Sequence, residues 1–139
     1  MLNVKLPHLD SWSAARQRNA SFYDAAFAKL ALGEAVTTPR AVPGSRHIYN
    51  QYVIRVRRRD ELRTHLAAAG VSTEIYYPVP LHLQKCFAYL GHAAGEFPES
   101  ERAAAETLAL PIFPELETAQ LQFVVDSITG FYRQAGRAA

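Results

Sequence analysis

Positions at three- or four-residue steps dominate the first thirty residues: Leu2, Leu6, Leu9, Arg16, Ala20, Tyr23, Phe27 and Leu30 fall on one face. That period predicts one long helix, kinked or begun at Pro7 and ended at Gly33. Val4, Trp12, Phe22 and Ala26 lie off this stripe, so the helix is expected to meet more than one partner surface. Thr37 to Gly44, with Pro39 and Pro43, reads as a loop. The pattern then changes period. Ile48 to Val56, IYNQYVIRV, is rich in aromatic and β-branched residues and predicts a strand with Ile48, Tyr52, Ile54 and Val56 on one face. Asp60 is placed to cap a short helix whose Leu62, Leu66 and Ala69 face the core, and Gly70 supplies a left-handed exit.

A second strand is predicted over Val71 to Tyr77. It ends there because Pro78 and Pro80 have no N–H for a ladder, and each forces its predecessor into an extended conformation. Gln84 to Leu90 reads as a short helix stopped by Gly91. Pro98, Glu99 and Glu101 open another, with proline in the first turn and acids at the positive end. TLALPIFPEL returns as a third strand closed by Pro111 and Pro114. From about Thr118 to Arg133, Leu121, Val124, Val125, Ile128 and Phe131 or Tyr132 form the apolar face of a terminal helix. These elements predict an α+β unit: a small antiparallel or mixed three-stranded sheet covered by helices and preceded by the long N-terminal helix.

The 139 residues suit one core. A net charge of +2 and the absence of a docking motif argue against nucleic acid as a partner, although Arg55, Arg57, Arg58 and Arg59 form a dense basic run. The single cysteine, Cys86, rules out an internal disulfide and a thiolate metal cluster, and suits a reducing compartment. No apolar run approaches the ~20 residues of a membrane span, and Lys5, His8 and Asp10 interrupt the N-terminus too early for a signal peptide, so a cytoplasmic location is expected.

The densest chemistry lies in TEIYYPVPLHLQKCF, Thr73 to Phe87. Its prolines make a stiff arm able to hold the Tyr76 and Tyr77 hydroxyls and the His82 imidazole in place for a polar ligand. The alternative is that the tyrosines are packing residues and His82 is a satisfied surface histidine. Asn50 and Gln51 are weaker candidates, better explained by pairing inside the sheet. Arg46 and His47, just before the strand, could approach a ligand or be solvated.

KLPHLDSW, the YNQYVIRV to FAYLG stretch, FPESE and ALPIFPEL, in this order and spacing, resemble the carboxy-terminal region of the DegT/DnrJ/EryC1/StrS aminotransferases. These are fold type I enzymes dependent on pyridoxal phosphate that place an amino group on nucleotide-linked keto sugars. The resemblance implies that residues 1–33 are a long linking helix, that 34–139 form the carboxy-terminal small domain, and that the large cofactor-binding domain is absent. In the intact enzyme it implies pyridoxal phosphate as cofactor, glutamate as amino donor and a nucleotide sugar as acceptor. It also places Tyr76, Tyr77 and His82 toward substrate. Many relatives carry histidine where this chain has Tyr76; a phenol offers an uncharged hydrogen bond, whereas histidine titrates, so Tyr76 reads as a binding group. Lys5, Lys29 and Lys85 lie outside the family's lysine motif. This chain alone is therefore expected to hold no cofactor and contribute no catalytic residue. Self-association, as a homodimer, or docking to the missing large domain is expected. The alternative is a free-standing module that binds a sugar nucleotide or a protein.

Overall fold

The computed structural model describes residues 2–30, 32 and 35–135. The N-terminal helix is interrupted: α1 spans Leu2–Lys5, a tight turn holds Leu6–His8, and α2 runs over Leu9–Lys29. Pro7 lies in that turn, where its missing N–H costs no helical bond. Through α2 the sequence has six alanines and no glycine, proline or β-branched residue, which favours an unbroken helix. Gly33, expected to end it, and the boundary between 33 and 34 lie outside the described residues. Of the long stripe, Ala20, Tyr23 and Phe27 are buried, whereas Leu6 and Leu9 stand exposed.

The sheet contains β1 (Val36–Thr37), β2 (Tyr52–Val56) and β3 (Thr107–Leu110), in that order and all antiparallel. Three strands were expected, but one of them is different. Val71 to Tyr77 does not form a strand; it touches the sheet at a single bridge, where Glu74 and Ala109 exchange both backbone hydrogen bonds. The third strand is the two-residue β1 on the opposite side. β2 also starts later than its pattern suggested. Tyr49 takes a left-handed conformation (φ +46°) that turns the chain, leaving Ile48 exposed in the loop.

Tyr52 pairs with Leu110 and Ile54 with Leu108, and these four residues face the main core. Packed against them are Tyr23 and Phe27 of α2, Leu62 and Leu66 of α3 (Arg59–Ala68), and Leu121, Val124 and Ile128 of α5 (Thr118–Ala135). On the other side of the sheet, Val53, Thr107 and Ala109 share a groove with Ala103 and Ala104 of α4 (Pro98–Glu106).

The start of α3 differs from expectation in a useful way. Arg58, left-handed at φ +56°, occupies the capping position, and Asp60 lies inside the first turn with no side-chain cap. The helix closes on Gly70 at φ +81°, a conformation that glycine adopts without a Cβ penalty. Ala69, expected in the core, is exposed.

The basic run is largely absorbed by the fold. Arg55 approaches Glu106 at 3.8 Å, and Arg58 pairs with Glu61 and lies over the Phe131 ring. Arg59, its side chain only 10% exposed, donates to the carbonyls of Ala104 (3.0 Å) and Thr107 (3.1 Å) and so closes the C-terminal end of α4. The Thr107 N–H in turn donates to Ala103 O.

Candidate functional site

Two side chains of α2 fix the chain where it leaves β3. Tyr23 donates its hydroxyl to Pro111 O (3.0 Å), and Asn19 donates to Phe113 O (2.9 Å). Tyr52 donates to the Asp24 carboxylate at 2.6 Å, tying α2 to β2 as well. Burial pushes the Tyr23 and Tyr52 phenols far up, and for Tyr52 the hydrogen bond to Asp24 adds to it. Both are neutral anchors, unsuited to donate protons in a reaction at neutral pH.

Beside this clamped exit lies a groove of about 750 Å³. Its floor is Ala109 to Ile112, one wall is Ser72 to Glu74 with Tyr76, and the other is Phe113 with Gln120 and Phe123 of α5. Asn50 and Gln51 complete its rim. Tyr76, Gln51 and Glu74 are shared with a second groove of about 370 Å³, lined further by Tyr77, Val79 and Pro80 of the arm and by Ser100 and Ala103 of α4. Tyr76 therefore stands on the ridge between two open grooves, about half exposed. The mixture of apolar walls with a few convergent amides, hydroxyls and a carboxylate is that of a small-molecule site.

The expected site residues separate in the structure. Tyr76 and Tyr77 are together and open to solvent, at 48% and 73% exposure. The alternation that buries Val71 and half-buries Thr73 and Ile75 would turn Tyr77 inward, but the chain bends at Tyr76 and frees both rings. His82 is not with them. Its imidazole is buried, with Nε2 3.0 Å from Oε1 of Glu101 and its ring 4.8 Å from that of Phe97. Arg46 pairs with Asp10 at the surface, and His47 packs on Tyr49 while its carbonyl accepts from Gln17; neither lines the two grooves. Asn50 and Gln51, expected to pair within the sheet, instead precede β2 and face the groove. Phe113 and Phe123 escaped the sequence reading. The signal for Phe123 was its position off the apolar face of α5.

A family model for the DegT/DnrJ/EryC1/StrS aminotransferase family matches residues 1–129. The chain belongs to that family. Its curated relatives include the pleiotropic regulatory protein of Geobacillus stearothermophilus, 48% identical over 133 residues (96% of this chain and 36% of the relative). Another is the dTDP-3-amino-3,4,6-trideoxy-alpha-D-glucose transaminase of Streptomyces venezuelae, 37% identical over 139 residues (99% of this chain and 36% of the relative). The chain thus spans about a third of the length of these relatives. In structure it is similar to S. venezuelae DesV in complex with a ketimine intermediate, with a TM-score of 0.87 and 36% identity over 94% of this chain and 34% of that one. A Brucella abortus DegT DnrJ EryC1 StrS aminotransferase superposes with a TM-score of 0.82 at 35% identity, again over 94% of this chain and 34% of that one.

Family membership raises the question of pyridoxal phosphate, which such chemistry attaches through a lysine amine. Lys5, Lys29 and Lys85 are exposed, and none lines the grooves beside Tyr76. The donor set around Tyr76 consists of amides, hydroxyls and one carboxylate. That set offers no lysine amine to which the cofactor could be attached.

Proposed function

We propose that this chain is the small-domain portion of a nucleotide-sugar aminotransferase, with residues 1–33 as its linking helix and 34–139 as the domain. In the intact enzyme, pyridoxal phosphate carries the amino group from glutamate to a keto sugar on a nucleoside diphosphate. The part played here is binding: Tyr76 and Tyr77 offer phenol hydroxyls from a proline-stiffened arm, and Asn50 and Gln51 offer amides from the facing rim. The observation that carries this reading is that the two tyrosines of the arm stand exposed above grooves in a chain that matches sugar aminotransferases along almost its whole length.

The test is a chimera in which this chain replaces the corresponding last third of the S. venezuelae transaminase. Tyr76→Phe keeps the ring and removes only the hydroxyl. Loss of a hydrogen bond to a charged phosphate costs about 1.5–3 kcal/mol, so nucleotide-sugar affinity should fall by roughly 10- to 150-fold with folding unchanged. Unchanged affinity in both Tyr76→Phe and Tyr77→Phe would refute the assignment. The 139-residue chain, incubated with pyridoxal phosphate and reduced with borohydride, should show no specific lysine adduct. Stoichiometric labelling of Lys5, Lys29 or Lys85 would overturn that part of the reading.

A further inference from the structure

We propose that His82 is a positioning residue: by donating from Nε2 to Glu101, its buried imidazole pins the proline arm to the first turn of α4 and sets where Tyr76 and Tyr77 stand. The arm needs such a pin. Its last backbone tie to the sheet is Glu74, and beyond Tyr77 the prolines remove the donors that would extend the pairing. The hydrogen bonds that follow stay within the arm: Leu83 N–H to Pro80 O, Gln84 N–H to Leu81 O, and the Gln84 side chain to Val79 O. The contact from His82 to Glu101 instead reaches 19 residues along the chain to another element.

Its chemistry is defined by the acceptor. Oε1 of Glu101 already accepts the Gly95 N–H at 2.8 Å. That N–H first, then His82 and the Phe97 N–H, hold the Glu101 carboxyl below the usual carboxylate range against the opposing effect of burial. A carboxylate has no proton to give, so Nε2 of His82 must carry the hydrogen. The other titratable groups nearby belong to the preceding loop: His92 packs on Phe97 at 5.1 Å, with Nδ1 2.6 Å from Glu96. Because its folded value is depressed, Glu101 adds stability that is present above the ordinary carboxylate range and lost as pH falls through it. The arm should therefore loosen as the Glu101 carboxylate is protonated in acid.

The functional weight of this role rests on the arm meeting substrate, but the test uses no ligand, so either can fail without the other. Amide hydrogen exchange is followed by NMR on the full chain, comparing the wild type with His82→Leu and His82→Gln. In His82→Leu, Leu83, Gln84 and Gly95 should exchange about 10- to 100-fold faster while Ile54 and Leu108 keep their rates. His82→Gln, whose amide nitrogen reaches the place of Nε2, should recover part of that protection. Unchanged exchange at the three amides, equal acceleration throughout the core, or no recovery with Gln would overturn the proposal. Should His82→Leu fail to fold, the ring nitrogen shifts of the wild type decide. A neutral ring protonated at Nε2 supports the pin, and one protonated at Nδ1 refutes it.

Discussion

Raising the pH above 10 should unfold this protein through two tyrosines that its core keeps neutral. Tyr23 and Tyr52 are fully buried, and burial raises both phenols far above their ordinary range. In the unfolded chain a phenol loses its proton near pH 10. Above that point the unfolded state has released two protons that the folded state still binds. The stabilisation is complete below pH 10 and declines as pH rises, by about 1.4 kcal/mol per pH unit for each tyrosine, or about 2.7 together. Tyr132, half-buried and pushed up to about 12 by burial while Arg58 pulls it down, adds a smaller share that solvent screening reduces further. At about 0.05–0.15 kcal/mol per residue, 139 residues give a total stability of about 7–20 kcal/mol, so two pH units remove a large part of it. Urea unfolding at pH 8, 10, 11 and 12 measures the slope, and tyrosinate absorbance reports ionisation independently. The absorbance of Tyr23 and Tyr52 should appear only as the fold is lost, and Tyr52→Phe should roughly halve the slope. A flat stability profile, or complete tyrosinate formation in a chain with native circular dichroism, would refute the reasoning.

Arg59→Ala should cost about 2–3 kcal/mol in urea unfolding, because the carbonyls of Ala104 and Thr107 lose a charged donor that is nearly buried. A loss below about 0.5 kcal/mol would mean that water replaces the guanidinium freely. Val4, Leu6 and Leu9, at 74%, 66% and 49% exposure, leave apolar surface on the N-terminal helices, so the chain should self-associate in sedimentation. A monodisperse monomer over a wide concentration range would contradict this.

The elements that could be read from the sequence are those whose chemistry is local. Pro98 at the first turn of α4, the left-handed glycines 70 and 91, and the 3.6-residue stripe of α5 are all found where their patterns put them. The segment from Val71 to Tyr77 shows the limit. Its alternation is real, since Val71, Thr73 and Ile75 are the more buried positions, but alternation reports which faces are wet, not which backbone groups are paired. At Val36–Thr37 the reverse holds: two paired residues are too few to leave a period. The late start of β2 had the largest consequence for the site, because it released Asn50 and Gln51 from the sheet to the groove. Nothing local announces a left-handed Tyr49. The YYPVP sequence marked the arm and its exposed tyrosines, but His82 looked like their neighbour in function, and its partner Glu101 lies too far along the chain for any spacing rule to join them.

The outer side of β3 has a consequence for how copies of this chain can meet. Thr107 has its N–H taken by α4 and its carbonyl by Arg59, and Ala109 has both groups taken by Glu74. Pro111 has no N–H, and its carbonyl is occupied by Tyr23. A helix end, a guanidinium, one bridging residue and a phenol together do what a fourth strand would do. They leave these positions with no unpaired backbone for an incoming strand to copy, the usual route by which open sheets polymerise. Association along this side is thereby left to side chains, whose contacts are selective and can separate again, and the arm can stay detached from the sheet without exposing a template for fibrils.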